Sequence, residues 1–237
     1  MGVVVNTNIS SITASRILSE NRADLEKAME RLASGKRINS AADDAAGMAV
    51  AAKMRADIGS LNQSVRNTND AISLVNTYDG AAAEIESILI RMRELAVQSK
   101  NGTYETADRT NANFEYTALK NEITRIAGVS AFNRMTVGQG SSGAAGGTGV
   151  ADTTFTFYVG SDVAKTGNSI AFAAKALDLN LAVSSGTLNS VVDTASAGQA
   201  IATLDDAITE LAANRAQAGA LINRLEHTVS NLMNVSQ

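Results

Sequence analysis

Cysteine, proline and tryptophan do not occur in this sequence, histidine occurs once, and aromatic residues make up only 4% of it. The lack of cysteine excludes disulfide staples, thiolate nucleophiles and thiolate metal sites, and it leaves no redox clue to compartment. The lack of proline removes the residue that most readily ends a helix, since proline has no backbone donor and clashes with the preceding turn. A lone histidine, His227, confines imidazole chemistry to one position. No strong excess of either charge exists: 20 Lys and Arg stand against 24 Asp and Glu, for a net charge of -4. The basic residues are scattered, which argues against a nucleic-acid partner. The opening Met1-Gly-Val-Val-Val-Asn-Thr-Asn8 has no basic region and no apolar run long enough for a signal peptide or membrane span. Membrane insertion is therefore not expected, and any export would bypass the general secretory signal.

What is present is a 45% hydrophobic content carried by Ala, Ile, Leu and Val at helical spacing. Leu18, Leu25 and Leu32 recur every seven residues with Ala14, Asn21 and Ala28 at the companion positions, a narrow seam that needs a partner helix. Met54, Ile58, Leu61, Val65, Thr68, Ile72 and Val75 alternate at three and four; beyond Asp79-Gly80 the register is expected to shift to Ala82, Ile85, Leu89, Met92 and Ala96. One lone glycine costs only about 1 kcal/mol, so a single helix from Ala41 to Ser99 is predicted, roughly 90 Å long at about 1.5 Å per residue. Asn101-Gly102 reads as a turn, with Thr103 capping a third helix through Ala112, Tyr116, Leu119, Ile123 and Ile126 to near Gly128.

Between Gly138 and about Asp193 the composition turns to Gly, Ser, Thr and Ala, with a flexible tract over 138–149. Inside it Phe155, Phe157 and Val159 alternate with Thr154, Thr156 and Tyr158, a strand signal, and Ile170 to Leu181 is a weaker second strand. Ser196 with Gln199 reads as a capping box for a last helix on Ile201, Leu204, Ile208, Leu211, Arg215, Ala218, Ile222, Leu225, Val229 and Leu232, with Arg215 its single polar interruption. No stop signal precedes Gln237, so the helix is expected to have been cut rather than finished. The predicted fold class is mainly α, a coiled-coil-like bundle of long helices with a small β-hairpin insert.

The richest stretch is Arg31-Leu-Ala-Ser-Gly-Lys-Arg-Ile-Asn-Ser-Ala-Ala-Asp-Asp-Ala-Ala-Gly-Met48. Gly35 after Ser34 suits a left-handed helix terminus, with Arg31 in the last turn. Ser40 with Asp43 three positions later reads as a capping-box variant, and Asp43 with Asp44 places negative charge in the first turn of the next helix. Gly35-Lys36 is not a phosphate loop, because the second glycine and the Ser or Thr that motif needs are missing. Catalysis finds no constellation. His227 falls on the outward side of the last helix, and the adjacent pairs Asp43-Asp44 and Asp205-Asp206 diverge by about 100° on a helix. Calcium-loop spacing is also absent. No enzyme activity, cofactor or metal is expected.

Several stretches resemble bacterial flagellin. They are Val5-Asn-Thr-Asn-Ile-Ser-Ser11, the junction Leu32 to Met48, Arg91-Met-Arg-Glu-Leu-Ala-Val-Gln98 and Asn121-Glu-Ile-Thr-Arg-Ile-Ala-Gly-Val-Ser-Ala-Phe-Asn133. Phe155-Thr-Phe-Tyr-Val-Gly160 is similar to the family's core hairpin, and Ser196 to Gln237 to the first part of its C-terminal helical region. The resemblance implies a structural subunit of the flagellar filament that serves motility, is exported through the flagellar type III apparatus and polymerises with copies of itself outside the cell. It divides the chain into 1–40, an inner-core helix and spoke; 41–137, outer-core helices; 138–195, a variable insert; and 196–237, an outer-core helix. Leu18, Leu25 and Leu32 then become an assembly seam, and Gly35, Asn39, Asp43 and Asp44 the spoke junction. The family's final helix, which pairs with the N-terminal one and binds the export chaperone, has no counterpart before Gln237. The isolated chain is accordingly expected to be a monomer with a rigid bundle over about Ala41 to Leu232 and a mobile N-terminal arm.

The resemblance also implies host recognition by a Toll-like receptor, with Arg91, Leu95 and Glu115 at the matching positions, and recognition of the N-terminal region by plant receptors. The spacing of Ile88 and Leu95, seven apart, equally suits packing of Leu95 against the third helix. Two rival readings are a flagellin-like hook-junction axial protein and a secreted binding module acting through the insert.

Overall fold

The computed structural model describes residues 9–138, 153–160, 167–175, 177 and 190–236. The opening Met1–Asn8, nearly all of the glycine-rich tract, Leu181 and Gln237 lie outside them. The elements are α1 (Ile9–Ser34), α2 (Ala45–Lys100), α3 (Thr106–Val129), β1 (Ala131–Phe132), β2 (Met135–Thr136), β3 (Thr153–Tyr158), β4 (Ser169–Ala174) and α4 (Thr194–Ser236). Long helices and one small antiparallel insert sheet make the fold mainly α, as the periodicity predicts. The chain divides into two units, Met1–Ile58 and Gly59–Gln237.

In the second unit α2, α3 and α4 share one core. Its largest side chains include Tyr78, Ile85, Leu89, Met92, Tyr116, Ile123, Leu204 and Leu211. Arg93 pairs with Asp205 at 2.6 Å and Asp79 with Arg215 at 2.9 Å, so residue numbers fall along α2 as they rise along α4. These two helices are antiparallel.

The register of α2 differs from the expectation. Its buried residues include Ser64, Thr68, Ala71, Val75, Tyr78, Ala82, Ile85, Leu89, Met92, Ala96 and Ser99, an unbroken alternation of four and three that passes through Asp79-Gly80 without a shift. Ile58 is exposed, Leu61, Val65 and Ile72 are half-buried, and small or polar residues take the seam beside them. The physical reason is local. Ser64 and Thr68 donate their hydroxyls to the carbonyl oxygens of Ser60 and Ser64, at 3.0 and 2.7 Å, so they enter the core without an unpaired donor. The helix does continue through Gly80 as predicted.

A similar correction applies to α4. Leu204, Leu211, Ala218, Leu225 and Leu232 are buried as expected, but the companion row is Ala200, Ala207 and Asn214 rather than Ile201, Ile208 and Arg215. Arg215 sits at the seam's edge, donating to Asp79 and to Glu86, while Asn214 is the polar residue inside it. The amide atoms of Asn214 have no partner among the described residues. A polar residue at such a position lowers stability and restricts helix register.

Helix starts were less legible than helix stops. α1 ends at Ser34 with Gly35 at φ +64°, as read. The helix predicted from Ala41 begins at Ala45, because Asp44 rather than Ser40 caps it: the Asp44 carboxylate accepts the Gly47 N–H at 2.8 Å. α3 starts after Glu105, not Thr103, with the Asp108 carboxylate accepting the Glu105 N–H at 3.3 Å. α4 is capped by Asp193, whose carboxylate accepts the N–H groups of Ala195 and Ser196 at 2.9 and 2.7 Å, not by Ser196. In two of these three cases an aspartate preceding the helix outcompetes a later candidate, as carboxylates at helix starts do.

β3 pairs with β4 antiparallel, Phe155 opposite Phe172 and Phe157 opposite Ile170. β4 is shorter than the Ile170–Leu181 candidate. Tyr78 of α2 meets the Phe172 ring edge-on at 5.4 Å and donates its hydroxyl to the Lys175 carbonyl at 3.0 Å, which seats the hairpin on the bundle. The sequence reading missed the short β1–β2 ribbon, joined by Asn133 and Arg134.

Candidate functional site

Three places were predicted to act: the seam on α1, the junction behind it and the α2–α3 face around Arg91. On α1 no residue is buried among the described residues, and Leu18, Leu25 and Leu32 are 54%, 67% and 80% exposed. Ile12, Ile17 and Met29 are exposed as well. A helix of this length with leucines at heptad spacing and nothing against them presents an unfilled association surface.

The junction draws its predicted residues together around one carboxylate. Ser34 donates its hydroxyl to the Arg31 carbonyl at 3.3 Å and accepts the Lys36 N–H at 3.2 Å, while the Asn39 amide donates to the Glu30 carbonyl at 3.2 Å. The end of α1 is thereby satisfied. Asp43 then accepts the N–H groups of Asn39 and Ser40 at 3.3 and 3.2 Å and receives Lys27 and Arg31 of α1 at 3.0 and 3.3 Å. Its side chain is only 6% exposed. Asp43 thus locks the loop back onto the helix it leaves, while Asp44 starts the next one. Gly47 completes the joint, since a Cβ there would meet both the Asp44 carboxylate and Ile38, displacing the cap. Lys27 was missed as an anchor; its position one turn before Arg31 on the same helix face was the available signal.

The Lys27 hydrogen bond, followed by the Ser40 and Asn39 amides, holds the Asp43 carboxyl far below the usual carboxylate range. A depressed value in the folded state means that Asp43 stabilises the joint above the ordinary carboxylate pKa, and that this is lost only as pH falls through the depressed value. We expect a carbon-detected NMR titration to show Asp43 still ionised at about pH 3, where free aspartate is largely protonated. Asp43→Asn should loosen residues 35–44 at neutral pH, seen as faster amide exchange; an Asp43 that titrates near 4 would contradict this geometry.

On the α2–α3 face, Arg91 donates to Glu115 at 2.9 Å and to Glu94 at 2.9 Å, so two of the three carried-over residues are paired with each other. The third, Leu95, is 2% exposed, on the floor of a groove of about 390 Å³ walled by Arg91, Gln98, Tyr104, Asp108, Asn111 and Glu115. Leu95 packs inward, the arrangement its spacing from Ile88 allowed. His227 is exposed, as predicted. Among the described residues no group of His, Asp and Glu could hold a metal ion, and no helix is long and apolar enough to cross a membrane.

The family profile described as the bacterial flagellin N-terminal helical region matches residues 5–142. A flagellar filament core protein of Brachyspira hyodysenteriae is 40% identical over 98% of this chain and 81% of its own length. The crystal structure of Bacillus cereus flagellin is similar over 70% of this chain and 88% of its own, with 34% identity and a TM-score of 0.57. A Vibrio parahaemolyticus protein described as flagellar hook-associated shares the fold at 15% identity, with a TM-score of 0.67 over 82% of this chain and 95% of its own. The profile match over more than half of the sequence, together with identity sustained along nearly its whole length, decides the matter: the chain belongs to the flagellins, the structural subunits of bacterial flagellar filaments.

Proposed function

We propose that the chain enters the filament through the seam Leu18, Leu25 and Leu32, with Gly35, Asn39, Asp43 and Asp44 as the joint that fixes how the seam helix leaves the start of α2. The observation behind this reading is that α1 keeps helical geometry for 26 residues while burying none of them. An exposed heptad seam on a structural protein is a surface for another helix, and the sequence offers no catalytic constellation that would give it a different task. Export through the flagellar type III apparatus and assembly outside the cell follow from the same reading, as does the absence of enzyme activity. The domain roles follow too: 1–40 for the inner core, 41–137 and 196–237 for the outer core, and 138–195 for the variable insert. Elongation of sheared filament seeds, followed by sedimentation and electron microscopy, tests it. Growth at the seed ends is expected, and a protein that stays soluble beside competent seeds would overturn the proposal.

Recognition by the flagellin-sensing Toll-like receptor is proposed for the same α2–α3 face. Arg91 and Glu115 present a paired cation and anion at the surface, and Leu95 shapes the groove floor beneath them. Arg91→Ala should lower receptor activation by at least about tenfold, as loss of a hydrogen-bonded interfacial charge does, with an unchanged melting temperature. Activation equal to that of the parent protein would remove the receptor from this face.

A further inference from the structure

The ribbon β1–β2 turns through Asn133 and Arg134, both left-handed, at φ +48° and +66°. This is the two-residue hairpin turn that favours Asn followed by Gly, because the second position demands a positive φ that a side chain resists. Arginine sits there instead. It is exposed and makes no hydrogen bond or ion pair among the described residues, so nothing within them accounts for the strain. Val129, 65% exposed, and Met135, 46% exposed, flank it. A strained position that gains nothing inside its own chain directs attention to what the side chain meets outside it.

The second unit also carries a surface of complementary chemistry. The groove over Leu95 has Asp108 and Glu115 on its walls and Glu94 on the far side of Arg91, three carboxylates against one guanidinium. Tyr104 and Ala112 supply apolar contact beside them. We propose that the Arg134 turn of one copy docks into the Leu95 groove of a second copy, the guanidinium against Asp108 and Glu115 and Val129 with Met135 against the groove's apolar wall. The two surfaces are different patches on the same unit. A contact of this heterologous kind leaves a free turn on one copy and a free groove on the next, so it propagates into an open chain rather than closing as a dimer. That is the geometry a filament requires, and the proposal rests on the filament reading above.

Arg134→Gly separates the two roles of this residue. It relieves the left-handed strain, so the melting temperature should rise by about 2 °C, while seed elongation should slow at least about tenfold. Arg134→Lys should retain part of the rate. Because the chain has no cysteine, Arg134→Cys combined with Asn111→Cys gives a clean second readout: oxidised filaments should yield a ladder of covalent multimers. Filaments that grow normally from Arg134→Gly, or that form from the double-cysteine protein without a ladder, overturn this contact and leave the filament reading intact. A parent protein unable to extend seeds overturns both.

Discussion

Leu25→Ser together with Leu32→Ser is expected to raise the concentration needed for filament growth by at least about 100-fold. Burying a leucine side chain is worth about 1.5–3 kcal/mol. Without two such burials the assembled state is weaker by about 3 kcal/mol at the low end, and each 1.4 kcal/mol is about a factor of ten. The same double substitution should leave the thermal transition of the free protein almost unmoved, because both residues are exposed there and substitutions at such sites usually fall within about 0.5 kcal/mol. Sedimentation against concentration and a melting curve measure the two quantities on the same sample. Growth at the parent's critical concentration would show that α1 does not form the seam.

Leu89→Ala should have the opposite profile. Leu89 is fully buried in the main cluster of the bundle, in the four-and-three row that runs from Ser64 to Ser99. Truncation there loses transfer energy and leaves a cavity, for a cost of about 2–5 kcal/mol. At about 2–4 °C per kcal/mol for a unit of this size, the melting temperature should fall by about 10 °C. A shift smaller than about 2 °C would mean that the row is loosely packed. Leu89 and the pair Leu25–Leu32 thus separate two kinds of leucine that look alike in sequence, one closing the monomer's core and the other left open.

That separation was legible beforehand, because α1 has a narrow stripe and only a short third helix was in prospect to cover it. The stop at Ser34 was legible as well, since a glycine after a basic last turn has few other uses. The α2 register was not. The apolar residues Ile58, Leu61, Val65 and Ile72 traced a plausible seam, whereas the buried row runs through Ser64, Thr68 and Ala71, one step around the helix. Hydropathy counts Ser and Thr as polar, yet within a helix their hydroxyls are satisfied by the preceding turn. Asn214 and Arg215 exchanged roles for a related reason: the long arginine reaches Asp79 and Glu86 at the surface, and the shorter asparagine goes inside. Asp43 was recognised as a helix-start residue but not as the carboxylate that receives Lys27 and Arg31, a contact made only after the loop turns back. The Arg134 turn was invisible because asparagine followed by arginine carries no hairpin signal.

The central claim is that α1 is a formed helix whose apolar seam is empty in the free protein and filled in the filament. Amide hydrogen exchange across residues 9–34, compared between the free protein and sedimented filaments, tests it most directly. The account predicts rapid exchange along α1 in the free state, well above that of Ile85 to Ala96, and slowing by at least about 100-fold on assembly, since only packing against a partner protects an otherwise solvated helix. Strong protection of Leu18 to Leu32 already in a confirmed monomer, or none in the filament, would contradict it.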